Sequence, residues 1–470
     1  MSFVYSIICA CVLTLFDLIF IKSLQLENYK IKKYIKNTIK FNFSFGNKNK
    51  LKFTNRAKRL IFIDFLINFC LFLLIFYLLK NLLIKIAIIF SVFLLSSVVF
   101  LLASVIALPI ENAIKQRYIK LAKKKLANSS CKKIAITGSF GKTSTKHILY
   151  QLLKQEFDVC VTPKSFNTPM GICKTILQDL KETDDFFVVE MGARNVGDIK
   201  FLARMVGVDF GIITPIGNCH LETFGSVEKI ENTKYELCEN TSGTIIFNGK
   251  SKSTRKLFER YVHKKYLVCV DGSFAYAKDI KIESTGTRFV LVLDENKFQC
   301  KTTLIGRANI DNIVVAAAMA YILGESLMSI QKGIAKLRPI AHRLELIKGY
   351  VNVIDDSYNS NFDGFCEALE VLNSFAGTRV VVSPGIVELG AKQEEVNRLA
   401  GEKVAKVADY FVIMNETNKK ALLTGALCGK MKKEQILFAR TRKEQRDILK
   451  KLLKMGDCVL FENDLPDNMK

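Results

Sequence analysis

Histidine is scarce in this chain, with 4 in 470 residues, and none of the 13 cysteines stands in a C-x-x-C pair. The nearest cysteines are Cys9 and Cys11, one residue apart. This spacing excludes the usual zinc ribbons and a disulfide framework, and fits reduced thiols in a cytosolic setting. Acidic residues are nearly absent from the first quarter: residues 1–130 hold 20 Lys and Arg against 4 Asp and Glu, and so carry +16 of the overall +24. No Lys or Arg precedes Lys22, so the opening apolar stretch lacks the basic start of a cleaved signal peptide. A basic chain can bind nucleic acid, but here the excess lies beside apolar segments, where anionic lipid and the positive-inside rule favour it. No nucleic-acid partner is expected.

Hydrophobic residues make up 49% of the chain. Three apolar stretches, Phe3–Ile21, Leu60–Leu79 and Ile84–Leu108, each approach the roughly 20 residues that a spanning helix needs. Between the first two, residues 22–59 hold 12 Lys and Arg and a single acid, Glu27. The positive-inside rule puts this basic loop in the cytoplasm, with residue 115 onward on the same side. Within it Leu26, Ile31, Tyr34, Ile35 and Ile39 recur near helical spacing, as in a surface-lying amphipathic helix or a solvated linker. Asp64 and Asn68 fall inside the second stretch.

From residue 131 the pattern changes. KKIAIT at 132–137 reads as a buried strand, followed by Gly138-Ser139-Phe140-Gly141-Lys142-Thr143-Ser144 and then a helical pattern through Ile148, Leu149, Leu152 and Leu153. Strand, glycine-rich turn and helix form the setting in which backbone N–H groups meet phosphate oxygens. Lys142 would reach the outer phosphates of ATP, and Thr143 would offer a hydroxyl to Mg²⁺. The G-x-x-G-K-T spacing is two residues shorter than the usual P-loop pattern, so its context carries the reading. FFVVE at 186–190 is a second apolar strand, ending in a carboxylate placed to hold Mg²⁺. GIIT at 211–214 is a third, followed closely by His220.

GSFGKTST, NTPMG at 167–171, VVEMGARNVGDI at 188–199 and HLETFGSVEKIENTKYE at 220–236 together resemble the Mur ligase family in order and spacing. GRANIDNIVVAAA at 306–318, HRLE at 342–345 and IDDSYNSNFDG at 354–364 extend the resemblance. The EMGA…GDI and DDSYN strings are similar to the branch that adds D-alanyl-D-alanine to a UDP-muramoyl tripeptide. The family consists of ATP-dependent amide ligases of peptidoglycan synthesis, acting through an acyl phosphate with ATP and Mg²⁺. The resemblance implies that Lys142 and Thr143 serve the phosphate loop. It implies that Glu190 and His220 hold metal, and that Lys234 becomes carbamylated and holds a second Mg²⁺. Asn312 would contact adenine, Arg343 would reach the γ-phosphate, and Asp356, Tyr358 and Asn359 would meet the nucleotide as the C-terminal domain closes. The implied partners are a muropeptide-type carboxylate acceptor, UDP- or lipid-linked, and an amino acid or dipeptide.

The chain departs from the family in places. Ala308 stands where His is usual, His342 where Gly is usual, SPGIVELG at 383–390 replaces GD-x-x-ELG, and Asn397 replaces a His. Membrane segments and a basic linker occupy the place of the UDP-sugar-binding domain. The expected fold class is α/β: a P-loop central domain at 116–338 and a Rossmann-like C-terminal domain at 339–470, preceded by a transmembrane helical region at 1–115. The expected location is the bacterial cell membrane, multi-pass, with cytoplasmic catalytic domains and membrane lipids as partners.

Overall fold

The computed structural model describes residues 2–27, 29, 31, 34–35, 51–217, 221–283, 285–358, 361–387 and 389–464. Most of the basic loop, with Ile39 of the expected surface helix, and also His220, Asn359, Glu388 of the SPGIVELG string and the last six residues lie outside the described residues. The chain divides into two compact units, one up to Tyr118 and the other Ile119–Asp464.

The first unit is helical. Helix α1 spans Ser2–Leu26, α2 Asn55–Leu78, α3 Leu82–Leu94 and α4 Ser96–Ala127, whose end from Ile119 belongs to the second unit. Helices α1, α2 and α4 are long and apolar enough to cross a membrane. The third apolar stretch is therefore not one helix: it breaks at Leu95, whose N–H turns back to Ser91 O, and the 13-residue α3 is short for a span. The hydroxyl of Ser91 also donates to Ala87 O at 2.9 Å, a back-bond that bends helices. Phe20, Leu24, Leu60 and Phe100 form one apolar cluster, and Ala10, Leu13, Phe72 and Ile75 another. Outside them the surface stays apolar. Helix α3 buries no residue, and Leu82, Leu83, Phe90 and Leu94 are each at least 64% exposed.

The second unit holds two sheets. In the first, β1 (Lys132–Thr137), β2 (Val159–Val161), β3 (Phe186–Glu190), β4 (Phe210–Ile213), β5 (Ile245–Asn248), β6 (Lys265–Val268), β7 (Ala275–Glu283), β8 (Gly286–Leu293) and β9 (Asn296–Thr302) run in the order β2-β3-β1-β4-β5-β6-β7-β8-β9. Neighbours from β2 to β7 are parallel, and β7-β8-β9 is an antiparallel meander that the α/β expectation did not include. Every residue of β3 is buried, as a parallel strand covered on both faces requires. Alternation sends Ala135, Phe187, Val189 and Ile213 to one core, and Ile134, Ile136, Val188 and Ile212 to the other. The second core packs beneath α5 (Lys142–Leu153) and α9 (Arg307–Ile322). Between them in sequence run α6 (Pro169–Gln178), α7 (Asp198–Val206) and α8 (Val227–Tyr235).

The second sheet comprises β10 (Glu345–Ile347), β11 (Asn352–Asp356), β12 (Arg379–Ser383), β13 (Tyr410–Met414), β14 (Ile436–Ala439) and β15 (Cys458–Glu462), ordered β10-β11-β15-β12-β13-β14. All its pairs are parallel except β10 with β11. Helices α10 (Phe362–Asn373) and α11 (Gln393–Ala405) help cover one face, where Ile354, Phe365, Val381, Val404 and Phe411 meet.

Candidate active site

The loop from β1 to α5 is shaped by two glycines. At Gly138 (φ +146°) a Cβ would lie 2.0 Å from Thr214 Oγ1, so the strand end can close on β4 only without a side chain. Gly141 (φ +74°) is the N-cap of α5, and a Cβ there would meet Asn312 Oδ1 at 2.6 Å. No side chain caps α5, so its first turn presents backbone donors at the positive end of the helix. Two loop amides do not join them, because Ser139 and Phe140 both donate to Pro215 O. The Ser139 hydroxyl hydrogen-bonds Gly217, and the Phe140 ring lies against the same glycine. Lys142 Nζ donates to Gly138 O and Ser139 O, both at 2.9 Å. Ser144 is buried in the first turn of α5.

Glu190 closes β3 directly beside this turn and is 1% exposed. Its Oε2 accepts from Thr143 Oγ1 at 2.8 Å and from Lys146 Nζ at 3.3 Å, while Oε1 accepts from Asn167 Nδ2 at 3.0 Å. Burial pushes this carboxyl up, but the charges of Lys146 and Lys142 and the hydrogen bonds from Thr143 and Asn167 outweigh it and hold Glu190 below the usual range. Lys146 is fully buried and also donates to Lys164 O. Burial holds its ammonium below the ordinary lysine value against the opposing pull of Glu190. Next to it, burial and the Lys146 charge push His147 down to about 4.

The second sheet reaches this site through Arg343. Its Nη2 donates to Thr143 Oγ1 at 3.2 Å, and its guanidinium lies 4.3 Å from the centre of the Tyr358 ring. The Tyr358 hydroxyl in turn pairs with the hydroxyl of Ser165. Asp356, at the end of β11, accepts from Leu344 N at 3.0 Å; desolvation pushes it up to about 6 despite that bond and Arg343. His342, at φ 63°, bonds Asp355 through Nδ1 at 2.7 Å. On α9, Asn312 Oδ1 accepts from Thr145 Oγ1 at 3.0 Å, which seats the amide over Gly141. Lys234 is buried on α8. Asn397 is fully buried on α11, and its amide ties the backbone of Ile386 in both directions, through N–H and C=O.

The described contacts thus bring together Lys142, Thr143, Glu190 and Arg343, with Asn312 and Tyr358 at the edges. Among the described residues no group of three or more His, Cys, Asp or Glu converges as metal ligands. The Thr143 hydroxyl and the Glu190 carboxylate are the paired oxygen donors, of the hard type that Mg²⁺ takes. Lys146 and Asn167 are the members sequence reasoning missed. Lys146 lies four residues after Lys142, one helical turn on along α5, a spacing that by itself does not tell a buried lysine from a solvated one.

Two family models match the second unit, the Mur ligase middle domain over residues 136–320 and the Mur ligase, glutamate ligase domain over residues 342–462. The chain belongs to the Mur ligase family. Two curated UDP-N-acetylmuramoyl-tripeptide–D-alanyl-D-alanine ligases are among its relatives. That of Haemophilus influenzae is 26% identical over 63% of this chain and 66% of its own length. That of Escherichia coli is 31% identical over 58% of this chain and 62% of its own. The chain thus spans about two thirds or less of these two Mur ligases. Among solved structures, the MurF ligase of Thermotoga maritima in complex with ADP superposes with a TM-score of 0.68 at 28% identity, covering 74% of this chain and 80% of that one. A MurF of Acinetobacter baumannii gives 0.67 at 25% identity, covering 74% and 77%.

Proposed function

We propose that the second unit is an ATP-dependent amide ligase that joins D-alanyl-D-alanine to a muramoyl tripeptide, and that the first unit holds it at a membrane. The Thr143 hydroxyl carries the reading, because it touches the strand-end carboxylate of Glu190 on one side and Arg343, two residues before β10, on the other. An ATP phosphate chain seated on the first turn of α5 meets Lys142, and Arg343 faces the same turn from the second sheet. Attack of the tripeptide carboxylate on the γ-phosphate breaks the β–γ bond, releases ADP and leaves an acyl phosphate; it brings two anions together, and Lys142 and Arg343 offset that repulsion. The amine of the dipeptide then displaces phosphate from the acyl phosphate and forms the amide. Thr143 and Glu190, together with His220 and a carbamylated Lys234, would hold Mg²⁺, which would supply charge neutralisation at the phosphates. Asn312, Asp356, Tyr358 and Asn359 complete the nucleotide's surroundings.

The membrane reading rests on the apolar outer surface of α1–α4, which water would not leave uncovered. It supports a second reading of the acceptor: a lipid-linked muropeptide in place of a UDP-linked one. The proposed domains are 1–115, 116–338 and 339–470. The test supplies the full chain with ATP, D-alanyl-D-alanine and either acceptor, and follows ADP and the amide product. Turnover with UDP-linked tripeptide alone sinks the lipid-linked reading; turnover with neither sinks the ligase assignment.

A further inference from the structure

From residue 131 onward the net charge comes from one short stretch. Residues 419–454 hold 12 Lys and Arg against 3 Asp and Glu, a net +9, whereas the other residues from 131 to 470 hold 37 against 38. Every residue of this stretch is described. Three of its cations are paired: Lys419 and Arg440 with Glu416, and Arg442 with Asp464. The other nine are exposed and form no ion pair among the described residues. Arg442, Arg446 and Lys450 stand one turn apart along helix α12 (Arg442–Leu452), a stripe of like charges that repel. The helix dipole favours cations only in the last turn, at Lys450 and Lys451.

The stretch surrounds β14, an edge strand that pairs only with β13. Helix α12 returns the chain from β14 to β15, so its last turn comes to the end of the sheet where Lys432 and Lys433 precede β14. Hydrogen bonds run across that end: Lys454 N and Thr378 N donate to Asp457, Arg379 N donates to Asp409, and Gln435 Nε2 donates to Asp409 O. The acids there offset little of the charge, because Asp457 is buried and Asp409 is paired with Arg379. Arg343 precedes β10, the opposite edge, and Asp356 and Tyr358 lie at the C-terminal end of β11. Four strands separate β11 from β14, about 19 Å at the usual spacing.

We infer that this basic edge of the second sheet docks on the surface of an anionic membrane. Each Lys or Arg brought near such a surface strengthens binding by about fivefold, so a few of the nine suffice. The recognised feature is net surface charge: a phosphatidylcholine surface also carries phosphates, but its cholines balance them. The choice of a membrane over a nucleic acid or an acidic protein rests on the membrane reading above, which keeps this unit within reach of lipid. Anchoring through the first unit leaves the orientation of the second unit open. Docking by β14 and α12 holds it by the edge farthest from Arg343 and leaves the nucleotide side facing water.

The test places the full chain in nanodiscs of phosphatidylglycerol or of phosphatidylcholine and follows lysine acylation by an amine-reactive reagent, read by peptide mass spectrometry. Lys432, Lys433 and Lys451 should react about tenfold more slowly on phosphatidylglycerol, the scale of one to two such contacts. The exposed Lys278, Lys297 and Lys301 of the β7–β9 meander should react equally on both lipids. The difference should vanish at about 1 M salt, where the Debye length falls to roughly 3 Å. The triple change Arg446→Gln, Lys450→Gln and Lys454→Gln should remove most of the protection at Lys432 and Lys433, with acceptor-dependent ADP release in detergent unchanged. If that variant fails to fold, the salt series on the wild type decides. Equal rates on the two lipids, protection that persists at high salt, or undiminished protection in the folded triple variant overturns the proposal. Protection by duplex nucleic acid in place of phosphatidylglycerol also overturns it. A chain that needs no detergent and never enters a nanodisc defeats the membrane reading, a different failure; the same acylation is then read with vesicles of each lipid added, and equal rates there overturn the docking proposal on its own.

Discussion

Both units of this molecule bury charged side chains, but they do so in opposite ways. In the second unit the buried pair is of opposite sign: Lys146 against Glu190 at 3.3 Å, with exposures of 0% and 2%. In the first, Asp17 and Asp64 are both fully buried and share one amide, Asn68, whose Nδ2 lies 3.5 Å and 3.2 Å from them, with Thr14 beside it at 3.3 Å. The first arrangement fixes a carboxylate as an anion at the end of a strand, ready for chemistry. The second ties α1 to α2 through neutral donors and serves packing. If this contrast is right, changes in the second unit should cost activity or fold through charge, and changes in the first should cost far less.

The largest effect is expected at the phosphate loop. Lys142→Ala should lower acceptor-dependent ADP release by about a thousandfold, the scale of removing a preorganised charge from a transition state. Arg343→Ala should act similarly while leaving the melting temperature of the chain nearly unchanged, since its described bond is to a single hydroxyl. Activity that survives Lys142→Ala would end the enzyme reading.

Next comes the buried pair. Lys146→Met leaves Glu190 buried without its strongest neighbour and should cost about 3–5 kcal/mol of stability, read by denaturant unfolding. The double change Lys146→Met with Glu190→Gln should recover most of that stability while staying inactive. If the single Lys146 change costs under about 1 kcal/mol, as exposed pairs do, the contrast between the units fails.

How the sequence foreshadowed these positions follows from their physics. Lys142, Thr143 and Glu190 stood out because strand, turn and helix frame them, and Arg343 only through the resemblance of HRLE to the family; the structure gathers all four within hydrogen-bonding reach of Thr143 or its loop. The strands 379–383 and 410–414 are short β-branched and aromatic runs, the residue types that suit a pleated, buried strand. Lys146 was not legible: a lysine on an amphipathic helix reads as solvated, and only tertiary closure by β3 and Lys164 buries it. The break at Leu95 was hidden as well, because the residues on both sides of it are equally apolar. The β7–β9 meander was missed because its exposed face is rich in Lys, Asp and Glu, which masks the alternation.

A smaller effect, in pH, belongs to His147. Its folded value of about 4 lies below the ordinary 6.5, so the native state binds fewer protons than the unfolded chain between those values. Stability contributed by the neutral ring is therefore complete above about 6.5 and lost as pH falls toward 4. The loss should be roughly 2 kcal/mol after allowing for partial solvent contact. His147→Gln should flatten that part of the stability–pH curve, measured by urea unfolding. An unchanged slope would place the acid sensitivity on other groups, such as the lowered carboxyl of Glu190.

The smallest expected effect sharpens the comparison most. Asn68→Leu removes the amide shared by Asp17, Asp64 and Thr14 without adding a charge. In a water-soluble core, leaving two carboxyl groups without their donor costs several kcal/mol. Between helices in lipid, interhelical hydrogen bonds are worth only about 0.6–2 kcal/mol, because the separated helices also find partners there. The expected loss, read by thermal unfolding of the full chain in detergent micelles, is therefore about 1 kcal/mol, with ADP release unchanged. A loss of about 3 kcal/mol or more would mean that α1 and α2 pack as a soluble bundle does, and the buried polar groups of the two units would then obey one rule instead of two.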